Sequence, residues 1–149
     1  MKVGVIGCGR IATVVHMPSI KSIQGYDLVA ASDVNTKRLQ EVKEKFGIDE
    51  TYDDYRRMLI KADVDAVFIC TPPQEHFRIA MDAVEWGKHV FCEKPLALTL
   101  EEAVTIKKAY EMQREMAPHP LFLMPAHNFI FTPCFTEALK LVERGEIGK

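Results

Sequence analysis

The stretch Lys2-Val-Gly-Val-Ile-Gly-Cys-Gly-Arg-Ile-Ala12 decides the fold class of this chain. It opens with an apolar run that is too short for a helix and is typical of a buried strand. The run is followed at once by Gly7-Cys-Gly-Arg-Ile-Ala12, a G-x-G-x-x-A pattern that opens a helix. A strand, a glycine-rich turn and a helix in this order predict a loop that binds the pyrophosphate of a dinucleotide.

Each small residue of this loop has its own physical task. We expect Gly7 to permit the tight turn, Gly9 to let the backbone approach the pyrophosphate, and Ala12 to allow close packing of helix on strand. The N-terminus of the helix then presents unpaired N–H groups to the phosphates. The residues predicted to contact the cofactor here are Gly7, Cys8, Gly9, Arg10 and Ile11.

The rest of the chain alternates short apolar runs with segments of helical spacing. Buried parallel strands are predicted at residues 2–7, 28–32, 66–70, 89–92 and 121–124, with a brief further strand near 51–52. Apolar residues recur at helical spacing over 39–46, 77–84, 103–110 and 135–142. This alternation predicts an α/β fold with a doubly wound parallel sheet of the Rossmann type.

Residues at the predicted helix ends support this division. Thr99-Leu-Glu-Glu102 is a capping box, and Pro133 suits the first turn of a helix. Gly87 and Gly145 stand where C-terminal caps belong. Asp53 is predicted to cap a short helix after the third strand.

An acidic residue at the end of the second strand bears on the choice of cofactor. Asp33 lies 26 residues after Gly7, where a carboxylate can accept hydrogen bonds from the adenosine ribose, which favours NAD over NADP. Two alternatives stay open. Asp33 could merely begin a turn with Asn35, or Lys37 or Arg38 could hold a 2′-phosphate.

Length and composition narrow the classes of protein. The chain has 149 residues, 48% of them hydrophobic, which predicts one domain over 1–149. A formal charge of −2 without long basic clusters argues against nucleic acid. No long apolar segment or leader is visible, so we expect a cytoplasmic protein without a membrane partner. The four cysteines are far apart, and we expect neither metal nor disulfides: Cys8, Cys70, Cys92 and Cys134.

Three further motifs make the whole chain resemble the Gfo/Idh/MocA oxidoreductases, the family of glucose-fructose oxidoreductase and inositol 2-dehydrogenase. They are His16-Met-Pro18 at the predicted end of the first helix, Thr71-Pro-Pro73 with His76, and Gly87-Lys-His-Val-Phe-Cys-Glu-Lys-Pro-Leu-Ala97. The last is the most diagnostic. Two of the motifs follow predicted strands four and five, at the carboxyl edge of the sheet, where ligands bind.

The resemblance implies roles for these residues. Thr71 and Pro72 would flank the nicotinamide half of the cofactor, Glu93 would contact its ribose, and Lys94 would reach the substrate hydroxyl as the catalytic residue. Pro95 would follow a cis peptide bond.

Without the resemblance, the same side chains indicate less specific roles. A loop lysine such as Lys94 can stabilise a developing alkoxide, but most lysines are merely solvated. His76 and His16 could each line the cofactor site or pack at a helix end.

The resemblance also implies a second domain and two catalytic residues that have no counterpart among these 149 residues. The family continues into a second α/β domain, whose Asp and His act with the lysine, but no Asp follows Asp82 and no His follows His127. Residues 127–149 would lead toward that domain, which we expect to be absent from this chain. At Ile130 the family often has an arginine. The apolar residues around Phe129 and Phe135 predict contact with a C-terminal domain or a second copy.

These observations support one interpretation and two rivals. The chain is predicted to be the NAD(H)-binding domain of an enzyme that oxidises a sugar or polyol hydroxyl. The first rival is a non-catalytic nucleotide-binding module, or a truncated relic that needs a partner chain. The second is a methyltransferase, which the G-x-G-x-x-A spacing and the Glu93-Lys-Pro95 loop disfavour.

Overall fold

The structure is a computed structural model that describes residues 1–148. Lys149, the last residue of the predicted domain, lies outside this range. The strands are β1 Lys2–Ile6, β2 Asp27–Ser32, β3 Glu50–Tyr52, β4 Ala66–Ile69, β5 His89–Cys92 and β6 Leu123–Pro125. The helices are α1 Met17–Ser22, α2 Thr36–Phe46, α3 Tyr55–Lys61, α4 Pro73–Glu85, α5 Leu100–Met116 and α6 Pro133–Glu143. The six predicted strands are all present, each with ends within two residues of the prediction.

The six strands form one sheet in the order β3-β2-β1-β4-β5-β6, and every neighbouring pair is parallel. The chain therefore starts in the middle of the sheet, builds outward to β3, and then crosses to the other side of β1. This is the doubly wound order of a dinucleotide-binding fold, which confirms the predicted fold class. The loops after β1 and β4 meet at the point where the strand order reverses.

Apolar side chains cover both faces of the sheet. One core layer packs α1 and α2 on the sheet through residues such as Met17, Ile20 and Val42. The other packs α3, α4 and α5 through residues such as Met58, Ile79 and Ile106. The strands are thus buried on both sides, which explains their nearly continuous apolar sequences.

The helix after the glycine loop differs from the prediction. A π-helical turn, Ala12–His16, runs directly into α1, so His16-Met-Pro18 lies in the middle of this helix and not at its end. Pro18 has no N–H to continue an α-helical ladder, but it is tolerated in the first turn of α1. The N–H of Met17 instead bonds to the carbonyl of Ala12.

Most predicted helix ends are confirmed. Thr99 and Glu102 form the reciprocal capping box of α5, and Gly87 and Gly145 follow α4 and α6 with positive φ. The prediction for Asp53 was wrong, because the next residue, Asp54, caps α3 by accepting a hydrogen bond from the Arg56 N–H.

The segment after β6 is the least buried part of the fold. A 3₁₀ turn, Asn128–Phe131, leads into α6, and neither element has a buried side chain. Within residues 1–148, every helix is too short or too polar to traverse a lipid bilayer.

Candidate cofactor site

A cavity of about 740 Å³ opens at the carboxyl edge of the sheet. The predicted residues that line it are Gly7, Gly9, Arg10, Ile11, Asp33, Thr71 and Pro72. They come from the loops after β1, β2 and β4, so the fold brings together three segments that are distant in sequence. The volume lies in the range of known small-molecule and cofactor pockets.

The two glycines of the loop lie in different surroundings. Gly7 has φ +92°, and an added Cβ would lie 2.7 Å from the carbonyl carbon of Cys70 and 2.8 Å from the nitrogen of Thr71. Gly7 is therefore required by the close approach of two backbones. An added Cβ on Gly9 would meet nothing within 4 Å. Gly9 leaves space beside the cavity that a bound group can fill.

Asp33 is buried at the end of β2 and holds two backbone segments. Its Oδ2 accepts a 2.7 Å hydrogen bond from the N–H of Cys8, and its Oδ1 accepts one of 2.8 Å from the N–H of Asn35. Arg38 approaches Oδ2 to 3.7 Å. Because each carboxylate oxygen accepts more than one hydrogen bond, Asp33 can fix the loop and still receive ribose hydroxyls.

Thr71 carries an unsatisfied polar atom in this cavity. Its Oγ1 is buried without a hydrogen-bond partner within residues 1–148, and Thr71 also lines the cavity. A buried hydroxyl without a partner costs free energy, so such an atom in a native fold calls for a partner such as a bound ligand or a water molecule. The space beside Gly9, the Asp33 carboxylate and this hydroxyl together fit a dinucleotide.

His76 lies beneath the site and is 0% exposed. Its Nδ1 is 2.7 Å from the carbonyl oxygen of Pro95, and its Nε2 is 2.8 Å from that of Thr71. A neutral imidazole has one N–H and donates to one of these oxygens, whereas the imidazolium donates to both. His76 therefore connects the loop after β4 with the loop after β5, and it does not line the cavity.

Glu93 begins the loop after β5 and is held at both oxygens. His16 Nε2 lies 2.7 Å from Glu93 Oε1, and Oε2 accepts a 3.2 Å hydrogen bond from the N–H of Lys94. The peptide bond between Lys94 and Pro95 is cis, as predicted. The Lys94 side chain is exposed. Glu93 and Lys94 lie outside the lining of the large cavity.

Three cysteine thiols surround the site but are poor nucleophiles. Burial raises the pKa of Cys8 to about 12, with a further contribution from the Asp33 carboxylate. Burial likewise raises the pKa of Cys92 to about 12, and Glu93 adds to this. The pKa of Cys70 is raised by the same two causes. All four cysteines are free, and Cys134 alone among them is exposed.

Tyr55, Arg56 and Arg78 form the far wall of the cavity, and none of them was predicted from the sequence as a site residue. The guanidinium of Arg56 lies 5.3 Å and that of Arg78 5.7 Å from the centre of the Tyr55 ring. Tyr55 and Arg56 belong to the first turn of α3 and Arg78 to the second turn of α4, and both helices start at the carboxyl edge of the sheet. For Tyr55 and Arg56, the position at the start of a helix that follows a predicted strand was the signal available in the sequence.

Comparison with known proteins agrees with this geometry. The family described as an oxidoreductase family with an NAD-binding Rossmann fold, Gfo/Idh/MocA, matches residues 1–117. A myo-inositol 2-dehydrogenase from Thermotoga maritima is 37% identical over 149 residues, and the match covers 100% of this chain.

Two solved structures superimpose on the whole chain. A scyllo-inositol dehydrogenase from Lactobacillus casei with bound NAD(H) and scyllo-inositol has a TM-score of 0.88 at 31% identity. A 3-ketoreductase from Actinomadura kijaniata in complex with NADP and TDP-benzene has a TM-score of 0.85 at 28% identity. The chain spans 42% of the Thermotoga protein, 42% of the Lactobacillus chain and 44% of the Actinomadura chain.

Proposed function

The chain belongs to the Gfo/Idh/MocA oxidoreductase family, with its NAD-binding Rossmann fold, and on this premise we propose that it serves hydride transfer between NAD(H) and a sugar or polyol. The observation that carries the proposal is that the glycine loop, Asp33 and the Thr71 hydroxyl, which has no partner within residues 1–148, meet in one cavity. When bound, the nicotinamide ring supplies the acceptor or donor of the hydride.

Different residues of this cavity are proposed to bind different parts of the cofactor. The backbone from Gly7 to Ile11 surrounds the pyrophosphate, with Gly9 leaving the space for it. Asp33 accepts hydrogen bonds from the adenosine ribose. Thr71 and Pro72 flank the nicotinamide half, where the Thr71 hydroxyl gains the partner that it lacks within residues 1–148.

The chain is proposed to prefer NAD over NADP. A 2′-phosphate would meet the buried Asp33 carboxylate and be repelled. Arg38 is the residue that could weaken this preference, but it already lies 3.7 Å from Asp33 and is drawn toward that carboxylate. The 3-ketoreductase that binds NADP indicates that the fold accommodates either cofactor.

Lys94 is proposed to be the catalytic residue of this chain. Its exposed ammonium follows the fixed Glu93 carboxylate and can stabilise negative charge on the substrate oxygen as the hydride leaves the carbon. Glu93 is proposed to contact the nicotinamide ribose. A sugar or polyol substrate is supported by the names of the relatives, which act on inositols.

We expect residues 1–149 on their own to bind cofactor without turnover. The histidines and the carboxylate near Lys94 already have hydrogen-bond partners within the fold. His16 and Glu93 bind each other, and His76 faces two carbonyl oxygens. None of these three side chains is therefore free to act as a general base. A positioned general base raises the rate by about 100- to 10000-fold. A substrate domain would have to supply that base.

The experiment uses the full product of the gene that encodes these residues. Inositols, hexoses and their phosphates are incubated with NAD, and NADH absorbance is recorded. Turnover that Lys94→Ala abolishes supports the proposal. Turnover unchanged in Lys94→Ala would remove Lys94 from its role, and NADH binding without turnover on any substrate would favour a non-catalytic binding module.

Residues 1–149 are proposed to form one domain whose last part, from residue 127, leads toward a partner. Phe129 and Phe131 are 75% and 68% exposed, and Phe135 and Leu139 continue this apolar surface along α6. Such a patch is typical of an interface. We expect a substrate domain or a second copy of the chain to cover it.

Light scattering over a concentration series tests this surface. The apparent mass is expected to rise with concentration for residues 1–149, and Phe131→Ser should suppress the rise, whereas the exposed Ile60→Ser on α3 should not. A constant monomer mass, with no binding of a supplied substrate domain, would contradict the proposal.

The buried, free thiols suit the reducing cytoplasm in which we propose that the protein works.

A further inference from the structure

His16 reaches from the glycine-loop helix to the loop after β5. Its Nε2 lies 2.7 Å from Oε1 of Glu93, and both side chains are largely buried, with 11% and 16% exposed. An ionised carboxylate only accepts hydrogen bonds, so Nε2 carries the proton and donates. A short hydrogen bond to an ionised, shielded acceptor is among the stronger ones in proteins.

Aromatic packing fixes the ring that makes this bond. The His16 ring meets the rings of Phe68 and Phe91 edge-on, with centroids 5.7 Å and 5.3 Å away. The two phenylalanines are stacked on each other at 4.6 Å, on neighbouring strands β4 and β5. The two phenylalanine rings therefore leave the imidazole little freedom, and its Nε2 points at Glu93.

The backbone contributes to the same arrangement. His16 is the last residue of the π-helical turn Ala12–His16. A π turn inserts an extra residue into the helix and shifts the direction of the side chains that follow, and such turns are frequent at functional sites.

We propose that His16 is a positioning residue that orients the Glu93 carboxylate toward the nicotinamide half of the cofactor. This inference rests on the proposed function. With Oε1 held by His16 and Oε2 by the N–H of Lys94, the carboxylate keeps one orientation, and its remaining lone pairs receive the ribose hydroxyls. The same pair connects the pyrophosphate helix to the loop that carries Lys94.

The test compares two ligands that differ only at the nicotinamide end. NADH and ADP share the adenosine and the pyrophosphate, but ADP lacks both the nicotinamide ring and the second ribose that Glu93 is proposed to contact. The affinities of both are measured by calorimetry for the wild type, His16→Phe, His16→Gln and the control His119→Phe, which changes an exposed histidine. Phenylalanine keeps the aromatic packing without a donor, and glutamine restores a donor.

The expected result is a selective loss. His16→Phe should weaken NADH binding by about 12- to 160-fold, the value of a charge-assisted hydrogen bond, and leave ADP binding within about twofold. His16→Gln should recover most of the NADH affinity. Glu93→Gln should give the same selective loss, and adding His16→Phe to it should cause little more.

Three outcomes would overturn the inference. They are equal losses for both ligands, unchanged NADH affinity in His16→Phe, and fully additive losses in the double variant. If His16→Phe does not fold, Glu93→Gln decides by the same comparison of ligands. A wild-type chain that binds neither ligand would instead refute the proposed function itself.

Discussion

The backbone N–H of Cys8 donates a 2.7 Å hydrogen bond to Oδ2 of Asp33, and this bond is buried. It joins the middle of the glycine loop to the acid that ends β2. The two features that point to a dinucleotide in the sequence are therefore one structural unit: the residue proposed to bind the ribose also fixes the loop proposed to bind the phosphates.

Asp33 should make the chain discriminate against NADPH. A phosphate charge about 4 Å from this carboxylate would cost roughly 1–4 kcal/mol, or about 5- to 1000-fold in affinity. Titration calorimetry with NADH and NADPH measures the ratio. Asp33→Asn should narrow it, because the amide oxygen can still accept from Cys8 but carries no charge.

The exposed Asp49→Asn is the matched control for charge and should leave the ratio unchanged. If the wild type binds NADH and NADPH equally well, or binds NADPH more tightly, Asp33 does not discriminate against NADPH.

Replacing each of the two loop glycines by alanine should affect a different property: stability at Gly7 and cofactor affinity at Gly9. Gly7→Ala places a Cβ 2.7 Å from backbone at positive φ, so we expect a loss of about 2–4 kcal/mol of stability. Gly9→Ala meets no atom within 4 Å and should leave the melting temperature nearly unchanged. It should nevertheless weaken NADH binding by about 5- to 150-fold, because the methyl group fills the cofactor's space.

Thermal melting and NADH titration of both variants decide this prediction. A Gly9→Ala variant that binds NADH like the wild type would show that the pyrophosphate lies elsewhere.

Replacing His76 should destabilise the fold. His76→Leu removes the ring that contacts the partly buried carbonyl oxygens of Thr71 and Pro95, and each oxygen left without a partner should cost up to about 1–3 kcal/mol of stability. The melting temperature should fall by about 2–4 °C per kcal/mol. His119→Leu, at an exposed position, should shift it little, and equal shifts in the two variants would contradict the assignment.

Thiol alkylation should distinguish the buried cysteines from the exposed one. The thiolate is the reactive form, so a pKa of about 12 leaves roughly one Cys8 in 10000 ionised at pH 8. Because the pKa is raised, this protection should persist until the pH approaches 12. Mass spectrometry after iodoacetamide at pH 8 should find Cys134 modified in the native protein, and all four cysteines after denaturation. Rapid native labelling of Cys8 would contradict its burial.

Much of the fold was predictable because its signals are local. The strand before Gly7, the capping box at Thr99 and the glycine after α4 each depend on a few neighbouring residues, and the structure contains all of them. The choice between Asp53 and Asp54 as cap was not predictable, because adjacent acids are equivalent until the backbone direction is known.

The arrangement of the site depended on contacts between distant residues. Nothing near His16 in the sequence indicates a π turn or a partner 77 residues away at Glu93. Similarly, His76 looked equally suited to line the site or to pack, and only the two carbonyl contacts show that it connects two loops.

The central claim, that the cavity beside Asp33 binds NAD(H), is tested most directly by thermal melting with added ligands. At a NADH concentration of 100 times Kd, the stabilisation should be about 2.7 kcal/mol, which raises the melting temperature by about 5–11 °C. S-adenosylmethionine at the same concentration should leave it unchanged. A chain that NADH does not stabilise, or that S-adenosylmethionine alone stabilises, would contradict the account.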